Sequence, residues 1–176
     1  MPLIITSNPT VHRIIKVVKV MGYNVTDILN KAVTIAIKRR TIYETIGQEN
    51  RDILSIKIMS NVLIKELDKT IGYYETLLSK ISDVEFEEID FSIYDKMSSL
   101  INDFNKRIDV EIKINNVREY LRFSLEMEKS IYSLMMDIQG RFVKNTSDIH
   151  TKTYKILSDI IDNKVKLIEM LEKITE

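Results

Sequence analysis

The sequence predicts an all-α protein, a long-helix antiparallel bundle or coiled coil preceded by a short N-terminal strand and two short helices. Two observations carry that prediction. Both prolines, Pro2 and Pro9, fall in the first nine residues, and the 176-residue chain holds only four glycines, Gly22, Gly47, Gly72 and Gly140. Sheets need turns, and turns draw on Gly and Pro for backbone conformations that other residues adopt at a cost, so a chain this poor in both reads as a few long helices. Apolar residues also recur at steps of three and four over long stretches, the spacing that places them on one face of a helix.

The elements follow in order. "LIITSN" at residues 3–8 is a short segment of strand-like composition. In "VHRIIKVVKVMGY" the polar positions His12, Lys16, Lys19 and Tyr23 recur every three or four residues, opposite Val11, Ile14, Val18 and Met21. That pattern is an amphipathic helix, started by Asn8 or Ser7 as cap with Pro9 in the first turn, and ended by Gly22. Asn24 is placed to cap a second helix, with Asp27 three residues on near its positive end, and this helix runs through Ile28, Leu29, Ala32, Val33, Ile35, Ala36 and Ile37 to end at "KRR", residues 38–40.

Three long runs follow. The first, from 53 to 81, carries Ile56, Ser60, Leu63, Leu67, Ile71, Tyr74 and Leu78 on one face, with Ile58, Val62 and Ile64 widening the stripe as if for a further neighbour. The second, over 92–139, carries Met97, Phe104, Leu121, Leu125 and Met135. The third, over 147–175, carries Ile156, Ile160, Leu167 and Leu171. Between them, "SDVEFEEID" at 82–90 holds five acids and reads as a solvated connection; Gly140 is placed to stop a helix, and Thr146 or Ser147 to cap the next.

"LIITS", then "NPTVHRIIKVVKVMG", then "YNVTDILNKAVTIAIKRR" resemble, over residues 3–40, the ribbon–helix–helix family of small DNA-binding repressors. Gly22, Asn24, Thr26, Asp27, Ile28, Leu29 and Ala32 look like that family's turn and the start of its second helix. The resemblance implies an obligate dimer whose paired ribbons enter the major groove, with backbone N–H groups near Asn24 to Thr26 holding a phosphate. The ribbon offers Thr6 and Asn8 as its polar positions and no Arg to read guanine, which implies DNA binding of low specificity or none.

Charge is unevenly placed along a chain that is neutral overall. Residues 1–40 contain Arg13, Lys16, Lys19, Lys31, Lys38, Arg39 and Arg40 against the single acid Asp27, which leaves 19 basic and 25 acidic residues in the other 136. The N-terminal part is therefore at +6 and the remainder at −6. Such asymmetry suits a basic part that meets nucleic acid, lipid head groups or the acidic body of another copy. Arg13, Lys16 and Lys19 are then phosphate contacts or solvated helix positions; Lys38, Arg39 and Arg40 are phosphate contacts or complements to the helix dipole.

Several function classes lack their parts. There is no Cys, hence no disulfide, thiol catalysis or Cys-based zinc site, and the two His, His12 and His150, stand far apart. No Gly-rich loop precedes a Lys-Ser/Thr pair, and paired carboxylates such as those of "EMEKS" are read as solvated. No catalytic or metal residue and no cofactor are expected, nor is an export signal or a membrane span, and the expected setting is cytoplasmic. The expected division is a basic module over 1–45 and an acidic helical body over 46–176. The expected function is a dimeric DNA-binding regulator whose body serves oligomerisation or another protein partner. The alternative is a structural or assembly protein, a helical scaffold, virion component or membrane-associated polymer, whose basic stretch lies on a lipid surface or on a neighbouring copy.

Overall fold

The structure is a computed structural model that describes residues 23–81, 86–108 and 113–175. It is all-helical: α1 (Val25–Glu49), α2 (Leu54–Ile81), α3 (Phe91–Arg107), α4 (Val117–Gly140), a 3-10 turn (Thr146–His150) and α5 (Lys152–Thr175), with no strand among the described residues. The strand expected at 3–8 and the helix expected before Gly22 lie outside the described residues.

The start of α1 is the one read from sequence. The Asn24 side chain accepts the Thr26 N–H at 2.8 Å, and the Asp27 carboxylate accepts the Asn24 N–H at 2.9 Å, a capping box that satisfies amides the first turn leaves unpaired. The expected end is corrected. α1 runs past Arg40 to Glu49, because Tyr43 and Ile46 extend its buried stripe and no proline interrupts it. The division expected at 45/46 therefore falls inside one continuous helix.

α1 and α2 lie antiparallel. Arg40 near the middle of α1 meets Asp68, and Gly47 near its end meets Ser60 near the start of α2. A Cβ on Gly47 would stand 2.8 Å from Ser60 Cβ, so the two backbones approach as closely as they do only because position 47 has no side chain. α4 and α5 form a second antiparallel pair, joined by Lys129 with Glu172 at 2.8 Å and by Gln139 Nε2 donating to Ser158 Oγ at 2.7 Å. α2 and α3 each also pack against α4. Apolar residues of all five helices, among them Leu29, Leu67, Phe104, Ile131 and Leu157, fill the common core.

Other boundaries depart from expectation. The run expected as one helix over 92–139 is two, α3 and α4. The Asn116 side chain accepts the Glu119 N–H at 3.0 Å while Glu119 accepts the Asn115 N–H at 2.9 Å, so a capping pattern opens α4 where no glycine or proline marks a break. The run expected over 147–175 starts with the 3-10 turn, capped by Asn145 and not by Thr146 or Ser147; Thr151 is extended and α5 begins after it. Gly140 ends α4 as read.

On α2, Ile58 and Val62 do not meet a further neighbour but face solvent, 54% and 42% exposed. The acidic connection is not simply solvated either. Glu87 accepts from the Lys152 N–H and the Thr153 hydroxyl at the start of α5, Ile89 is buried, and the Ile89 N–H donates to the Tyr23 carbonyl at 2.7 Å. Tyr23 in turn stacks on Tyr94 of α3, ring centroids 3.5 Å apart. No helix among the described residues is long and apolar enough to cross a membrane.

Gly47 and Gly72, both inside helices, differ in what surrounds them, since Gly72 has nothing within 4 Å of an added Cβ. Gly47→Ala is expected to destabilise by about 1–3 kcal/mol through overpacking against Ser60, and Gly72→Ala to stabilise by about 0.5–1 kcal/mol through helix propensity. Urea denaturation of the two variants checks the opposite signs.

Candidate functional site

Lys38, Arg39 and Arg40 stand about 100° apart around the α1 axis, so three consecutive cations leave in three directions. Each reaches a different helix. Lys38 Nζ donates to the Asn105 carbonyl in the last turn of α3 at 2.9 Å. Arg39 turns inward to Glu128 of α4. Arg40 Nε donates to Asp68 of α2 at 2.7 Å and also pairs with Glu44 on its own helix, which raises its pKa chiefly through the Asp68 bond.

Glu128 is the centre of the interior. Arg39 is 1% exposed and Glu128 is 1% exposed, and Lys164 of α5, 4% exposed, donates to the second oxygen of the same carboxylate at 3.2 Å. Two cations thus share one anion away from water. Removing charges from solvent costs several kcal/mol per ion, on the order of what their attraction returns. The Lys164 amine bears the conflict: burial, with the charge of Arg39 acting in the same direction, holds its pKa well below the ordinary lysine value.

Tyrosines surround the cluster. The Arg39 guanidinium lies 6.0 Å from the centre of the Tyr43 ring, and Tyr43 meets Tyr120 edge-on at 5.9 Å. Ser60 donates to the Tyr120 hydroxyl at 3.0 Å, tying α2 to α4, and Ser124 donates to the Tyr120 carbonyl within α4. Burial pushes the Tyr74 hydroxyl up to about 12, with Arg39 opposing, and it raises Tyr120 as well, with Ser60 opposing. These hydroxyls therefore stay neutral at physiological pH and supply no charge to offset the second cation.

The residues expected to bind DNA divide into two sets. Thr6, Asn8, Arg13, Lys16 and Lys19 lie outside the described residues. Asn24, Thr26, Lys38, Arg39 and Arg40 are described, and the structure does not bring them together as one surface. The Asn24 and Thr26 amides that a phosphate would use are taken by Asp27 and Asn24. Arg39 is enclosed, which corrects its expected place at a DNA interface, while Lys38 and Arg40 hold α3 and α2. Val25, Ile28, Leu29, Ala32 and Ile35 of α1 are buried within the single chain.

Glu128 and Lys164 were not singled out from sequence; "EMEKS" was read as solvated, yet only its flanks Glu126 and Ser130 are exposed. The signal was present. Glu128 lies four residues after Ser124 and three before Ile131, and Lys164 four after Ile160 and seven before Leu171, so both occupy apolar-stripe positions. Among the described residues no three His, Cys, Asp or Glu side chains gather as a metal site. No protein-family model, curated protein or solved structure matches the chain.

Glu128→Gln, which leaves two buried cations without their anion, is expected to destabilise by about 3–5 kcal/mol. Replacing all three charges together, Arg39→Met, Glu128→Leu and Lys164→Met, is expected to leave stability unchanged or raise it by about 1–4 kcal/mol. Thermal and urea unfolding of the two variants check the contrast.

Proposed function

We propose that the protein acts by binding rather than by catalysis, as a dimeric cytoplasmic regulator of DNA. Its helical bundle serves as the oligomerisation or partner-binding domain, and the basic segment ahead of α1 meets phosphate. The observation that carries this reading is how charge is distributed along the sequence: residues 1–26 hold Arg13, Lys16 and Lys19 and no acid, whereas Lys38, Arg39 and Arg40 are engaged by α3, α4 and α2. Cations on a segment without acids release counterions from the duplex when they neutralise its phosphates, which gives affinity that falls as salt rises. The ribbon–helix–helix resemblance supports the same segment, with Thr6 and Asn8 facing bases and the two cations of Lys16 and Lys19 on one helix face.

A second reading has its own observation. Leu54, Ile58 and Val62 form an exposed apolar ridge along the first half of α2, and a ridge of this kind suits an assembly protein whose copies meet through it.

Titration of the full chain against random duplex DNA is expected to give a log–log salt slope of about −3 per chain, from about −0.9 per phosphate neutralised. The Arg13→Ala, Lys16→Ala, Lys19→Ala variant is expected to lose that slope. Absence of DNA binding at low salt, together with binding to anionic liposomes or polymerisation abolished by Ile58→Lys, would transfer the assignment to the assembly reading.

A further inference from the structure

A cleft of about 420 Å³ lies between α2 and α5 and reaches the buried ion cluster. Thr70, Tyr73 and Tyr74 line it from α2, and Asn163, Lys164 and Leu167 from α5. Tyr74 and Lys164 are buried and form its floor, while Tyr73 and Leu167 are half-buried and give it an apolar wall. Its volume is in the range of small-molecule sites, roughly 300–1,000 Å³, and it sets an apolar wall beside polar and charged groups at its floor and rim.

The charges around that floor do not balance. Lys164 is faced by Glu128 of α4 and Arg39 of α1, and Tyr74 of α2, its hydroxyl neutral, lines the same cleft. One carboxylate therefore serves two cations. The remaining acid of the cleft, Glu66, is bound to Lys69 at 2.6 Å at the rim, and Lys166 adds a further cation there. Asp159 acts on Tyr73 but is itself exposed to water. Among the described residues the cluster balances only when Lys164 sheds its proton or an anion enters the cleft.

We propose that the cleft binds a small organic carboxylate, its anionic end against Lys164 and its hydrocarbon part against Tyr73 and Leu167. The excess is one unit of charge, which suits a monoanion. The Arg39 guanidinium, the group that would favour a phosphate by its paired donors, is already on Glu128, and the ammonium of Lys164 is a single point donor. The proposal does not depend on how the basic segment ahead of α1 acts.

The test is thermal unfolding of the full chain at constant ionic strength with sodium benzoate, with benzamide as its neutral counterpart, and with inorganic phosphate. Benzoate is expected to raise the melting temperature progressively with concentration, as a ligand of the native state does, and benzamide and phosphate are expected to leave it unchanged. Lys164→Met is expected to weaken the benzoate effect roughly tenfold or more in concentration, the scale of one lost hydrogen bond to a charged group. Asn163→Trp, at an exposed position on the cleft wall, is expected to abolish the benzoate effect while leaving the ion cluster intact, and it keeps the test decisive should Lys164→Met not fold. The proposal is overturned by no response to benzoate, by an equal response to benzamide or phosphate, or by a benzoate response that survives Asn163→Trp.

Discussion

Glu128 carries two cations at once, and the register in which the two helix pairs associate depends on that arrangement. Arg39 comes from the α1–α2 pair and Lys164 from the α4–α5 pair, while Glu128 stands on α4 between them. An apolar interface tolerates sliding, because burial is proportional to area and has no direction. An ion cluster away from water does not, since a shift that separates charge from partner exposes the full desolvation cost. The cluster therefore sets the register in which the pairs meet. The flanking Ser60–Tyr120 bond and the Tyr43–Tyr120 contact fix the same register with neutral groups.

The neighbouring cations extend the constraint. Because successive residues of a helix project in different directions, Lys38, Arg39 and Arg40 anchor α1 to α3, α4 and α2 in turn. Only the middle one is enclosed. The outer two remain in partial contact with water, where an ion pair or hydrogen bond contributes orientation more than stability. A segment that looks like a basic patch in one dimension is thus a hub in three, its cations engaged with α3, α4 and α2. The binding reading rests instead on the segment before Asp27, whose sequence holds Arg13, Lys16 and Lys19 and no acid.

Much of the architecture was legible because helices announce themselves by periodicity. α2 begins one residue from its expected start and ends where expected, and the capping box at Asn24 and Asp27 and the stop at Gly140 were readable from residue types alone. The break between α3 and α4 was not, since Ile, Val and Asn maintain a plausible helical pattern across it and the only mark is the Asn116 to Glu119 spacing. The extension of α1 was missed because three consecutive cations resemble a C-terminal dipole complement. Glu128 and Lys164 were missed for a related reason: residue type suggested solvent, while their positions on the apolar stripes pointed inward. Which of two such signals prevails depends on whether a partner of opposite charge faces the position across the core, and that is a property of the assembled fold.

Native-state hydrogen exchange under mild denaturant tests most directly whether the two helix pairs, set in register by the ion cluster, open as one unit. The amides flanking Arg39 on α1 and those flanking Glu128 on α4 are expected to converge on one opening free energy, that of global unfolding. An α4–α5 pair that opens at distinctly lower free energy while α1 and α2 stay protected would contradict the account.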